Sequence, residues 1–202
     1  NWTGSNAEGR PSLSALFAAA QSPKQPLAYS VFDGFSRTAG LIGYNRFDDL
    51  SNMGALIRPN VDPWSGGVKR AESDVIRSQQ LVQDGVQSLL LQPNLSVRQR
   101  QSALRFVEAR DGREGLQRLA ELVPAEEDIQ RREDFTAGGM TFSSNLKQQM
   151  QGSLLVFKSG LGSAADLALD GFDSHDIHDP VSETLLAHFA DAVHFFWDYA
   201  QE

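Results

Sequence analysis

The chain has 202 residues, of which 41 % are apolar and 22 % charged, with a formal net charge of −8 and no cysteine. That length and mix supply a substantial core and exclude a chain disordered throughout. The acidic balance argues against a general phosphate-backbone binder, no run reaches the ~18 apolar residues of a membrane span, and the lack of cysteine removes disulfides, a thiolate nucleophile and a zinc ribbon.

Residues 1–10 are polar and glycine-containing and read as loop. Pro11-Ser12-Leu13 opens a short helix to about Gln21, with Leu13, Leu16 and Phe17 on one stripe and an alanine run behind them. Pro23 and Pro26 end it, and residues 27–32 form a strand stopped by Asp33-Gly34. A helix followed closely by a strand is the order of an α/β layer, so the fold class expected is α/β. From 36 to 67, repeated glycines and asparagines with Pro59 and Pro63 predict a long irregular excursion.

Three helical stretches follow, at 69–91, 97–110 and 114–123. Val75, Ile76, Val82, Val86, Leu89 and Leu90 supply the apolar positions of the first, and Ser96 is placed to cap the second. Over 69–132 they predict a helical insertion within a single α/β unit spanning 1–202. Their arginines, among them Arg98, Arg100 and Arg118, are interleaved with Glu108, Glu114 and Glu121, the pattern of a solvated ion-paired face rather than of a nucleic-acid surface. Gly138-Gly139-Met140-Thr141 reads as a connector, or as a flexible turn beside a site.

Residues 145–159 predict a helix with Leu146, Met150, Leu154, Leu155 and Phe157 inward, ended by Gly160-Leu161-Gly162. Residues 164–169 are a short strand that runs into Asp170-Gly171-Phe172-Asp173. The last helix starts near Pro180 with Asp179 as its cap, and its core stripe reads Leu185, Phe189, Ala192, Val193, Phe196 and Ala200.

All four histidines lie at His175, His178, His188 and His194, the first two inside Asp173-Ser174-His175-Asp176-Ile177-His178-Asp179. Imidazole and carboxylate are the side chains that hold divalent metals and move protons near neutral pH. Asp173 and His175 are two apart, which in an extended segment puts both on one side, and His178 reaches the same point if the chain turns after Asp176. Asp176 and Asp179 would then support the ligands. The same residues also suit an acidic flank that complements the positive end of the last helix. His194, with Asp191 and Asp198 three before and four after it, fits a surface ion-pair cluster; His188 reads as a boundary residue.

Leu169-Asp170-Gly171-Phe172-Asp173-Ser174-His175 resembles the "glycine, tryptophan or phenylalanine, aspartate, threonine or serine, histidine" signature of the bacterial family called domain of unknown function 1501. Pro26-Leu27-Ala28-Tyr29-Ser30 and Thr38-Ala39-Gly40-Leu41 are similar to that family's strand and its continuation. The resemblance implies part of an alkaline phosphatase-like sheet, a periplasmic or otherwise exported protein, and a divalent metal ion acting on a small anionic phosphate or sulfate ester. It implies Asp173 and His175 as metal ligands, with His178 as a ligand or proton carrier. The family's leader, its glycine- and aspartate-rich first strand and its later "serine, aspartate, phenylalanine, glycine, arginine, threonine" motif are not in this sequence. The expectation is therefore a central piece whose missing segments another chain supplies, or an exported binding or assembly protein that keeps the fold without turnover.

Overall fold

Three short parallel strands organise the fold. In the computed structural model, which describes residues 10–21, 25–32, 38–47, 50–62, 65–111, 113–172 and 178–202, they are β1 (Tyr29–Phe32), β2 (Asn45–Phe47) and β5 (Ala164–Leu167). The order is β2-β1-β5, with Val31 opposite both Arg46 and Asp166. Around them, in chain order, lie α1 (Leu13–Gln21), α2 (Leu50–Ile57), α3 (Glu72–Leu90), α4 (Val97–Asp111), α5 (Arg113–Leu122), the hairpin of β3 (Glu133–Ala137) and β4 (Met140–Ser144), α6 (Leu146–Lys158) and α7 (His178–Gln201). The architecture is mixed α/β. Every residue of β1 is buried, as expected for a central parallel strand covered on both faces.

One face of the sheet packs on α1 through Tyr29, Val31 and Ala164 against Ala15 and Ala18. The span of α1 is as expected, but its roll is reversed: Leu13, Leu16 and Phe17 are 58, 44 and 52 % exposed while Ala15 and Ala18 are fully buried. Small side chains let the helix approach the sheet closely. Two serines hold that roll, since Ser12 Oγ accepts the Ala15 amide at 3.1 Å and Ser14 Oγ donates to Asp166 on β5.

The other face holds the main core, where Phe32, Phe47, Leu50, Met53, Leu119, Leu155 and Val156 meet from β1, β2, α2, α5 and α6. The excursion read over 36–67 thus contains a strand and a helix. β2 alternates in burial, with Asn45 half-buried, Arg46 exposed and Phe47 buried, but three residues with one apolar side chain are too few to be read as a strand. α2 forms despite Gly54 because Leu50 and Met53 bury against this core, so packing overrides propensity.

α3 has no buried residue and packs against α4; Ile76 and Val82 are each nearly half-exposed. The start of α4 is a capping box: Gln99 N–H donates to Ser96 Oγ at 3.3 Å, and Ser96 N–H donates to Gln99 Oε1 at 3.1 Å. α5 returns to the core through Leu119, and Arg118 Nε donates to the Ser159 carbonyl at 3.1 Å. The segment read as a connector at 138–141 is the turn of the β3–β4 hairpin, whose Gly138 and Gly139 take φ of +55° and +81°. Positive φ at both central residues matches the twist of antiparallel strands.

α6 ends as its glycines predict. Gly160, at φ +73°, donates to the Phe157 carbonyl at 3.0 Å and Leu161 to that of Val156 at 3.2 Å, the paired bonds of a Schellman cap. α7 keeps most of its expected stripe, with Val193 and Phe196 packed against Leu146, Met150 and Ala192, and departs from it at Phe189. Val181, Leu185 and Ala192 are buried and the His188 side chain is only 10 % exposed, whereas Phe189, expected inward, is 47 % exposed. Among the described residues no helix is long and apolar enough to cross a membrane.

Candidate functional site

The three parallel strands finish level, because Phe32 stands opposite both Phe47 and Leu167. In sequence, Phe32 is followed by Asp33, Phe47 by Asp48-Asp49, and Leu167 by the run that carries Asp170, Asp173, His175 and His178. An aspartate thus follows each of the three strands in sequence, and the carboxyl edge is where open parallel sheets bind ligands; of these residues only Asp170 is among the described ones, and it is exposed. Asp33, Asp48, Asp49, Asp173, His175 and Asp176 lie outside the described residues. His178 is the first residue of α7; its side chain is outside the described set. Asp179 sits exposed in the first turn, where a carboxylate complements the positive helix end.

What the structure describes is how this run is fastened on either side. Gln149 of α6 is 2 % exposed. Its amide closes both backbone groups of Ala168, the residue after β5: Nε2 donates to the Ala168 carbonyl at 2.9 Å and Oε1 accepts the Ala168 N–H at 2.8 Å. A third bond, Nε2 to Asn145 Oδ1 at 2.7 Å, orients the amide. A side chain thereby continues the hydrogen bonding that a neighbouring strand would otherwise supply. Leu169 then packs with Ala137, Val181 and Leu185. Gly171 has φ +102°, and a Cβ there would stand 3.1 Å from the Phe142 ring. Beyond the run, Val181 and Leu185 anchor α7 in the same cluster. The chain enters and leaves the acidic histidine run at fixed points.

Two polar clusters that the sequence did not reveal stand nearby in the fold. Tyr29, fully buried, donates its phenol proton to Asp166, which also accepts from Ser14; the Ser12 hydroxyl lies 3.3 Å from the Tyr29 oxygen. Burial, and then the bond to Asp166, push the Tyr29 phenol well above its ordinary range. The signal was available: an aspartate inside the apolar strand Ala164-Ala165-Asp166-Leu167 must find buried donors.

The second cluster joins α6, α7 and β3. Lys147 Nζ lies 3.0 Å from Glu133 Oε1 and 2.6 Å from Asp191 Oδ2. The bond to Asp191 raises the Lys147 ammonium and lowers the Asp191 carboxyl. His188, expected at a boundary, is instead packed there: its ring stacks on Phe135 at 4.7 Å, Nδ1 lies 3.7 Å from Glu133 Oε2, and Nε2 has no hydrogen-bond partner among the described residues. His194 pairs with Asp198 at 2.9 Å, as its i,i+4 spacing predicts. Asp191, its other expected partner, is taken by Lys147.

Thr38-Ala39-Gly40-Leu41, the segment similar to the family's continuation, forms a tight turn closed by Leu41 N–H to the Thr38 carbonyl at 2.9 Å. Among the described residues no three histidine, aspartate or glutamate side chains gather as a metal cage. Comparisons with family models, with curated proteins and with solved structures return no match for this chain.

Proposed function

We propose that the carboxyl edge of the parallel sheet is a divalent-metal site for hydrolysis of small anionic phosphate or sulfate esters. What supports this reading is that the described residues before and after the acidic histidine run, Ala168 and Leu169 on one side and Val181 and Leu185 on the other, are held in place, while in sequence β1 and β2 also lead into aspartates. Two imidazoles and a carboxylate are a donor set suited to zinc, manganese or iron. When bound, such an ion polarises an ester oxygen and acidifies water. In this reading Asp173 and His175 hold the ion. His178, at the positive end of α7, is a third ligand or passes a proton to the leaving oxygen. The resemblance to the domain of unknown function 1501 family, and through it to alkaline phosphatase-like proteins, supports the same chemistry and an exported location.

The test is hydrolysis of p-nitrophenyl phosphate and p-nitrophenyl sulfate by protein dialysed against zinc, manganese, magnesium or calcium. The expected result is turnover with one of these ions that falls at least a hundredfold in His175→Ala. Absence of turnover with every ion would overturn the hydrolase reading. The alternative is a non-catalytic exported binding or assembly protein. The half-exposed apolar side chains of α1 and α7 favour it.

A further inference from the structure

α7 carries two apolar seams where a surface helix needs one. The inner seam, Val181, Leu185, His188 and Ala192, faces α6 and the β3–β4 hairpin. The outer seam begins 100° round the helix at Leu186 and continues through Phe189 and Trp197, at spacings of three and eight, while Val193 between them is half-buried against the cluster of Leu146, Met150 and Ala192. Leu186, Phe189 and Trp197 are 57, 47 and 60 % exposed. The stripe is about 16 Å long at the usual helical rise. Phe189 and Trp197 are of the aromatic type enriched at interfaces.

The charges beside this stripe have one dominant sign. Asp179, Glu183 and Asp198 are exposed, and His194 Nδ1 lies 2.9 Å from Asp198. A second copy laid antiparallel on the stripe would bring Asp179 and Glu183 of each helix towards Asp198 of the other, and like charges across an interface disfavour that pairing. A segment with lysines or arginines beside its apolar residues meets the same rim with attraction.

We infer that the outer face of α7 docks a basic amphipathic helix of a partner chain, with Leu186, Phe189 and Trp197 as the apolar anchors and Asp179, Glu183 and Asp198 as the charged rim. Three anchors along one helix make a small contact of the weak, transient class. The apolar anchors Leu186, Phe189 and Trp197 take no part in the proposed metal site, although the rim residue Asp179 adjoins His178.

The test uses the full chain with Trp2 and Trp64 replaced by phenylalanine, so that Trp197 reports alone. Two synthetic helical peptides share one leucine stripe; one carries lysines on its flank, the other glutamates. The lysine peptide should bind in the micromolar range, shift Trp197 emission to the blue, and weaken several-fold between low and physiological salt, while the glutamate peptide binds at least tenfold more weakly. Leu186→Glu should abolish binding with an unchanged circular dichroism spectrum, and Glu183→Gln should weaken it with the fold untouched. Equal binding of both peptides, or none, overturns the inference. So does a concentration-dependent dimer dissolved by Leu186→Glu, which assigns the face to a second copy. Trp197 emission already blue-shifted without peptide overturns it too, by assigning the face to this chain's own segments.

Discussion

Replacing Gln149 with leucine tests whether the exit of β5 is fastened as described. Leucine fills a similar volume on α6 but offers no polar atoms. Ala168 then loses the acceptor for its N–H and the donor for its carbonyl, and Asn145 Oδ1 loses a third bond. Each buried backbone group left unsatisfied costs about 1–3 kcal/mol, and burying the leucine side chain recovers about 1 kcal/mol. The expected destabilisation is about 3 kcal/mol, or a melting temperature lower by roughly 6–12 °C for a chain of this size. Urea unfolding followed by circular dichroism measures it as a lower midpoint at unchanged slope. Gln87→Leu on the exposed side of α3 is the control and should change stability by less than about 0.5 kcal/mol. A loss below about 1 kcal/mol for Gln149→Leu, with unfolding still cooperative, would show that the backbone at Ala168 does not depend on this amide.

Three further outcomes follow from the same geometry. Because the folded phenol of Tyr29 is raised above its ordinary value of 10.0, its contribution is complete below that pH and is lost as the pH climbs through the folded value. Burial also raises the Tyr199 phenol, so alkaline titration should show Tyr29 as the last tyrosine to ionise, and Tyr29→Phe should remove that last step alone; its survival would contradict the assignment. Gly162→Ala places a Cβ 2.2 Å from the Leu27 carbonyl oxygen and should destabilise by about 3 kcal/mol or more, whereas Gly85→Ala in the open middle of α3 should stabilise by about 0.5–1 kcal/mol. Thermal melts that failed to separate the two variants would refute the close approach at Gly162. The Asp191 carboxyl, lowered chiefly by its bond to Lys147, adds stability above its ordinary value of 3.8 that fades as the pH falls; Lys147→Met should return its NMR titration towards that value, and an unmoved titration would contradict the pairing. Asp191 is 63 % exposed, so the associated stability change is small.

The elements legible in the sequence were those whose periodicity and caps agreed. α6 shows this best: Leu146, Met150, Leu154 and Leu155 are buried, and Gly160 takes the left-handed turn that ends it. Ser96 likewise declared its cap. Composition misled where a small side chain does the packing, as in α1, since helix-to-sheet distance rather than hydrophobicity selects alanine over Leu13 or Phe17. It misled again where a polar residue occupies an inward position. His188 takes the place expected of Phe189, and Gln149 and Gln151 are buried in α6, because backbone groups on facing segments need partners that apolar residues cannot offer. β2, α2 and the β3–β4 hairpin carry too short or too broken a pattern to be read locally and form through tertiary contact. Of the candidate site, the strand that precedes it was legible at 164–167; the clamp on Ala168 was not, because no spacing rule links Gln149 to Ala168.

The most direct test of the account is metal content. Protein loaded with zinc or manganese and dialysed should retain one equivalent of the ion, and His175→Ala should retain none while melting at the native temperature. Native protein that keeps no metal, or a variant that keeps as much as the native chain, would contradict a metal site at the carboxyl edge of the sheet and leave the acidic run as the charged flank of α7.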